Sequence, residues 1–347
     1  MKTSAAILVQ QRQPLVIDEV EVPAIGYGQV LVEVAVTRIC GSQLGEIDGV
    51  KGPDRFLPHL LGHEGGGTVL EIGPEVRHVK VGDRVVLHWR AGHGIEARPP
   101  VYTWRGRPCN AGCVATFSRY AVVSENRLTA VPSSVDFEVC ALLADTLTTG
   151  FGVITNDAQV RFGESVVVIG SGGIGLGVIL GAKLAGAYPI IAVDLHDHKL
   201  AKAREYGATH AINSAREDFA AAAEAILKGK ADVVIDGTAL PAVLEDAFAL
   251  TSPAGRCVVF GVMPADRKLS LNTLPLHFGK TLTGSHGGGS EPARDIPRYL
   301  RMMAGGRFDP RGMVSHRLGL DGINDAIGRM RSGEIIHAMI HFPLSAA

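Results

Sequence analysis

The chain has 347 residues, more than one hydrophobic core of ordinary size organises, so two domains are expected. Its 34 basic and 35 acidic residues leave a formal charge of −1, which gives no electrostatic footprint for a nucleic-acid partner. A hydrophobic fraction of 46%, with 43 glycines and 18 prolines, describes a compact, turn-rich protein and excludes a disordered one.

The N-terminal stretch MKTSAAILVQQRQP lacks an apolar run followed by a small-residue cleavage site, so no secretory signal is read there. Five scattered cysteines, Cys40, Cys109, Cys113, Cys140 and Cys257, make an odd count and no disulfide framework, and a reducing cytoplasm is the expected location. Up to about residue 145, short β-rich runs such as VLVEVAVT (30–37) and GDRVVLH (82–88) alternate with Gly and Pro turns, the texture of a partly open β-barrel. Two places in this zone carry chemistry. In TRICGSQLGE, Cys40 follows a β-rich run; in LLGHEGGGTVLEIG, the adjacent His63 and Glu64 precede three glycines inside an otherwise apolar stretch. Ionisable groups in a core strand need partners, because an unpaired buried charge is expensive. A thiolate and an imidazole form a mixed sulfur–nitrogen set that suits zinc better than calcium or magnesium, which prefer oxygen. Taken singly, a buried cysteine and a hydrogen-bonded histidine are ordinary core residues. The stretch from Arg90 to Gly112 shows no strand pattern and is expected to be a long irregular loop.

The middle zone, 147–284, alternates apolar strands with amphipathic helices: SVVVIG, GLGVILGAKLAG, PIIAVD, HKLAKAREYG, ADVVIDG and GRCVVFG. Repeated strand–helix units predict an α/β, doubly wound parallel sheet. In VVVIGSGGIG, Gly170, Gly172 and Gly175, with Gly173 and Ile174 between them, give the G-x-G-x-x-G spacing that lets backbone approach a pyrophosphate at a helix N-terminus. Asp194 closes the next strand, where a carboxylate accepts both ribose hydroxyls and repels a 2′-phosphate, so NAD is expected over NADP. Lys199, one turn into the following helix, either flanks the adenosine ribose or is an ordinary surface lysine. The most apolar long stretch, 165–186, fits this strand–turn–helix, and no membrane span is expected. The tail carries helices near RDIPRYLRMMAG and INDAIGRMRSG and a last strand, EIIHAMIHF.

In this order, CGSQLGE, GHEGGG, VGDRVV, LLADTLTTGFG, VVVIGSGGIG and VD resemble the zinc-containing medium-chain alcohol dehydrogenase family over nearly the whole chain. The resemblance implies a GroES-like catalytic barrel over 1–146, an NAD-binding Rossmann domain over 147–284, and a C-terminal segment, 285–347, returning to the barrel. It places one catalytic zinc on Cys40, His63 and Asp145, the last where a cysteine is common, with Glu64 as a candidate additional ligand. It gives Ser42 the hydroxyl that starts the proton relay from substrate; the relay histidine that often follows falls on Gly45, and a basic residue that often flanks the pyrophosphate falls on Gly41. His337 takes the place of a C-terminal arginine at the cofactor, Thr149 packs against the nicotinamide, and Trp89 walls the substrate pocket. Many relatives hold a structural zinc on four closely spaced cysteines. Here only Cys109 and Cys113 occur, with His88 and His93 the nearest other soft ligands, so free cysteines are expected.

The expected activity is hydride transfer between an alcohol larger than ethanol and NAD, interconverting alcohol and aldehyde or ketone. Arg90, Arg98, Arg105 and Arg107 favour a polar or acidic substrate if the long loop lines the entrance, and face solvent otherwise. A zinc-free quinone or enoyl reductase of the same superfamily would not need Cys40, His63 and Asp145 together, and a non-enzymatic NAD-binding protein would not need Ser42. The family resemblance implies a homodimer or homotetramer, for which the apolar run GRCVVFGVMP (255–264) offers a sheet edge.

Overall fold

A computed structural model describes residues 1–344. The chain divides into two compact units, Met1–Asp145 with Glu291–Ala347, and Thr146–Ser290.

The spine of the first unit is the strand Gln29–Arg38, whose valine-rich sequence is buried along almost its whole length. It pairs antiparallel with Glu64–Ile72, with Tyr120–Ser124 and with Ala338–His341, so the C-terminal strand is part of this sheet. β-branched residues suit such a position, because successive side chains alternate between the two faces of the sheet and both faces are packed. The glycines after Glu64 answer a packing need. A Cβ at Gly66 would stand 2.7 Å from both Cys140 Cβ and the Phe137 carbonyl oxygen, and one at Gly67 would stand 2.5 Å from the Glu33 carbonyl oxygen. The bare backbone at Gly66 lets the helix Phe137–Ala144 lie directly on the strand, while Gly67 admits the neighbouring strand, and the helix ends at Asp145.

Five short strands, Lys2–Leu8, Val16–Glu21, Val101–Trp104, Arg107–Asn110 and His59–Leu60, close into a ring beside the seven-stranded sheet. The expected irregular loop is therefore corrected: its second half is a β-hairpin. Arg105 (φ 51°) and Gly106 (φ 72°) both adopt left-handed backbone, the two-residue hairpin turn whose twist matches the strands. Tyr102 and Trp104 point inward, where the Tyr102 hydroxyl accepts the Val122 N–H at 2.8 Å. Asp18 Oδ2 accepts from both Trp104 Nε1 and Arg105 Nε at 2.9 Å, which ties the turn down.

The first half of the loop is stapled by a carboxylate. Buried Glu125 accepts the backbone N–H groups of Arg77, His78 and Ile95 at 2.6–2.8 Å. Burial pushes its carboxyl up, but the three amides outweigh that and hold it below the usual range. Cys109 is buried, which raises its thiol to about 11, and the Cys113 sulfur faces the Ala97 carbonyl at 3.9 Å. His88 bonds to the Arg90 carbonyl and to Thr129 Oγ1, with burial pulling its imidazole down to about 4, while the His93 ring lies 5.9 Å from that of His78.

The second unit is a six-stranded parallel sheet in the order His210–Asn213, Ile190–Asp194, Val166–Ile169, Ala231–Asp236, Thr251–Val259, Thr281–Gly284. Chain order reverses after Val166–Ile169, and the crevice at such a reversal, outside the carboxyl ends of the strands, is where nucleotides bind in sheets of this type. The run around Arg256–Val259 lies inside the sheet, paired on both sides, so the expected edge is corrected to Thr281–Gly284. Among the described residues, the helical run Phe137–Asp157, rather than 165–186, is the one long and apolar enough to cross a membrane, and 94% of its 18-residue apolar window is buried inside the protein.

Candidate active site

Cys40 follows the spine strand directly and caps the helix Gly41–Asp48 with extended backbone (φ −103°, ψ 155°). Gln43, at the third helical position, accepts the Cys40 N–H on Oε1 at 2.8 Å. Its amide nitrogen meets His63 Nδ1, so one buried side chain fixes both residues. His63 stands between Gly62, whose left-handed backbone (φ 92°) leaves no room for a Cβ beside Thr116 Oγ1, and the start of strand Glu64–Ile72. Asp145 arrives from the end of the helix seated on the glycines.

Ligand atoms of Cys40, His63, Glu64 and Asp145 all lie within 4.8 Å of one another. Among the described residues this is the one group of three or more His, Cys, Asp or Glu side chains gathered closely enough to hold a metal ion, and Cys109, Cys113, His88 and His93 do not form another. Asp145 Oδ2 is 3.7 Å from His63 Nε2 and 3.8 Å from Cys40 Sγ. Nitrogen, oxygen and sulfur ligands about 2.0–2.3 Å from one tetrahedral zinc stand roughly 3.3–3.5 Å apart, so these spacings fit to a few tenths of an ångström. His63 Nε2 is buried without a hydrogen-bond partner. Burial alone would lower the His63 pKa, but Asp145 and the Cys40 sulfur raise it well above its ordinary value. An orphaned nitrogen in surroundings that stabilise positive charge is the setting a divalent cation requires.

Glu64 belongs to the group but is held from behind. Arg38, the last residue of the spine strand, donates Nε to Oε2 at 2.7 Å and Nη2 to Oε1 at 2.6 Å. Burial works against the Arg38 charge, but Glu64 outweighs it and keeps the guanidinium protonated. Arg38 Nη1 is 3.0 Å from His337 Nδ1. His337, expected at the cofactor phosphates, is buried in the first unit with its Nδ1 against Arg38. Trp89 Nε1 donates to Asp145 Oδ1 at 3.1 Å, with its ring edge-on to His63 at 6.4 Å. Ser42 Oγ is buried and has no hydrogen-bond partner.

Sequence reasoning missed Gln43 and Arg38. The spacing Cys40-x-x-Gln43 has the form of a capping box, and an arginine ending a valine-rich strand raises the same partner question as His63 and Glu64.

In the second unit each glycine of the turn after strand Val166–Ile169 has its own reason. Gly170 is left-handed (φ 93°), and a Cβ at Gly175 would stand 1.9 Å from the Gly170 carbonyl oxygen. A Cβ at Gly172 would meet nothing within 4 Å, so protein packing does not demand that glycine and the open space suits a pyrophosphate. The helix Gly173–Leu184, which includes Ile174, begins there. Asp194 lies across the turn, accepting the Ser171 N–H on Oδ2 at 2.9 Å and the His196 N–H on Oδ1 at 3.0 Å. Lys199 is half-buried in the helix Asp197–Tyr206, and Thr149 is buried in the helix Thr146–Gly152.

Comparison with known proteins gives a consistent result. Residues 26–133 match the alcohol dehydrogenase GroES-like domain and residues 173–305 the zinc-binding dehydrogenase family. The chain is 31% identical to S-(hydroxymethyl)glutathione dehydrogenase of Paracoccus denitrificans, over 98% of this chain and 100% of that protein. It is 32% identical to alcohol dehydrogenase class-3 of Cereibacter sphaeroides, over 99% and 100%. The crystal structure of an alcohol dehydrogenase zinc-binding domain protein from Burkholderia ambifaria superposes with a TM-score of 0.91 at 30% identity, covering 99% of this chain and 100% of that one.

Proposed function

The chain belongs to the zinc-dependent medium-chain alcohol dehydrogenase family, and from that premise we propose that Cys40, His63 and Asp145 hold its zinc and Ser42 its substrate hydroxyl. It is an oxidoreductase between alcohols and carbonyl compounds, with zinc and NAD as cofactors. The observation that carries the ligand assignment is the orphaned His63 Nε2 facing Cys40 and Asp145. Zinc at such a site makes an alcohol more acidic and polarises a carbonyl.

The protein's own residues do the rest. Ser42 Oγ, two residues after Cys40, takes the proton of the substrate hydroxyl. Gly45 stands where a relay histidine is common, so Ser42 would pass its own proton on through the cofactor ribose and water, or through another group such as Glu46. Arg38 engages both oxygens of Glu64 and restrains it, so Cys40, His63 and Asp145 would be the residues that hold the metal. Backbone N–H groups of the turn at Gly170–Gly175 and the N-terminus of the following helix bind the pyrophosphate, with Thr149 beside the nicotinamide. Zinc analysis of protein purified without added metal, with NAD reduction measured over aliphatic alcohols, polyols and hydroxy acids, tests this reading. Metal-free protein that turns over no alcohol refutes it.

The substrate is an alcohol larger than ethanol, which the name of the 31% identical S-(hydroxymethyl)glutathione dehydrogenase supports. Of the four loop arginines, Arg98 is exposed, Arg105 is tied to Asp18 and Arg107 lies 5.6 Å from the Trp104 ring, whereas Arg90 lies 5.7 Å from the ring of Trp89, beside the metal ligands. Any preference for an acidic substrate rests on Arg90. An advantage of hydroxy acids over matched neutral alcohols that survives Arg90→Ala would remove that role.

Asp194 sets the cofactor preference. Like charges brought together cost several kcal/mol, so NAD is expected to exceed NADP by about 10²–10³ in kcat/KM. Asp194→Gly is expected to shrink that ratio to within about tenfold, and the ratio is insensitive to any general loosening of the turn. Equal efficiency with both cofactors in the unaltered protein would overturn the assignment.

The protein assembles as a homodimer or homotetramer. The edge strand Thr281–Gly284 is mostly exposed, and Leu274 and Phe278 beside it are 59% and 72% exposed, a surface that a second copy would cover. Sedimentation at assay concentration should show no stable monomer. A cytoplasmic location suits five cysteines that are all free.

A further inference from the structure

An aspartate at a zinc ligand position differs from a cysteine in one respect that matters for catalysis. A thiolate offers a single donor atom; a carboxylate offers two. If both oxygens bind, the coordination shell fills and the open position needed by substrate is lost. Something must distinguish the two oxygens.

In this structure they have different neighbours. Oδ2 faces His63 Nε2 and Cys40 Sγ at 3.7 and 3.8 Å, whereas Oδ1 accepts the Trp89 indole N–H at 3.1 Å. We propose that Trp89 is a positioning residue of the metal centre, holding Asp145 so that only Oδ2 is presented to zinc. This deepens the assignment above and rests on Asp145 being a ligand. Indole suits the task because it donates and cannot accept, so it never competes for the metal. Its ring lies edge-on to that of His63, with centroids 6.4 Å apart. Asp145 is thus set from two sides: by the helix Phe137–Ala144 seated on Gly66, and by Trp89.

The test is a double-mutant cycle on the metal-loaded protein. Trp89→Phe keeps an aromatic wall and removes the donor. Loss of a partner behind a metal ligand typically weakens metal affinity about 10–100-fold, and zinc retention against a chelator should fall by that amount. In the cobalt-substituted protein the visible absorption should weaken, as it does when a four-coordinate ion gains a ligand. In an Asp145→Cys background, where a single-donor ligand needs no such restraint, Trp89→Phe should change zinc retention by less than about twofold.

A second readout leaves Trp89 intact. The chain has two tryptophans, and Trp104 Nε1 is engaged in a separate hydrogen bond, to Asp18. Asp145→Cys should move the Trp89 indole N–H resonance and leave that of Trp104 in place. Unchanged zinc retention and cobalt spectrum in Trp89→Phe, an equal loss in the Asp145→Cys background, or an unmoved Trp89 resonance overturns the proposal. Failure of the unaltered protein to bind zinc at Cys40 overturns the ligand assignment instead.

Discussion

His63→Ala is expected to purify with almost no zinc and to lose at least about 10³-fold in kcat/KM, because the charge stabilisation supplied by a catalytic metal is worth several kcal/mol and each 1.4 kcal/mol is tenfold. The substitution removes the one nitrogen of the set and leaves the Cys40 sulfur and Asp145 Oδ2 facing each other at 3.8 Å across the gap. Gln43 loses its partner on the imidazole but keeps its bond to the Cys40 N–H, so the helix Gly41–Asp48 should retain its cap. NAD affinity serves as the control, since the turn at Gly170–Gly175 belongs to the other compact unit. Metal analysis and steady-state kinetics on one preparation decide the matter. Activity lost with zinc still bound would remove His63 from the ligand set, and retained activity without zinc would remove zinc from the reaction.

Arg38→Met should be the most destabilising single change near the site. The Arg38–Glu64 pair is bidentate and enclosed, with side chains 2% and 0% exposed. Removing one partner of a buried ion pair costs about 3–5 kcal/mol, because the other charge stays buried without compensation. For a unit of this size that corresponds to a fall in Tm of roughly 6–20 °C. Arg38→Met combined with Glu64→Gln should recover much of the loss, since the second change removes the uncompensated charge. Calorimetry of the four proteins provides the cycle. A single variant as stable as the parent, or a double variant no better than the single, would show that the pair does not carry this energy.

What the sequence disclosed follows from the range over which each signal acts. The turn at Gly170–Gly175 and Asp194 were readable because strand, glycines, helix and acid follow one another in a single strand–helix–strand unit, each with a local steric reason. His63 and Glu64 were readable because two ionisable residues interrupt an apolar run. Arg38 was not, because its partners lie 26 and 299 residues away and nothing local marks them. The same distance hid the contact between Arg38 and His337. The Val101–Trp104 and Arg107–Asn110 hairpin was hidden by an arginine at a left-handed turn position where asparagine or glycine is the usual sign. The sheet edge was misassigned because strand order is a property of the assembled sheet, and an apolar strand reads alike at its centre and at its rim.

The glycines after Glu64 turn the metal centre into an instrument calibrated by what is missing. With no Cβ at Gly66, the helix bearing Asp145 rests on bare backbone, so the reach of that carboxylate toward His63 is gauged by the thickness of a main chain. A core position normally tolerates a methyl group by local adjustment. Here the adjustment would be transmitted along eight residues of rigid helix to a ligand whose useful range is a few tenths of an ångström. Selection on catalysis therefore reaches residues that never touch substrate, and the dullest part of the motif, its run of glycine, is where its tolerances are tightest.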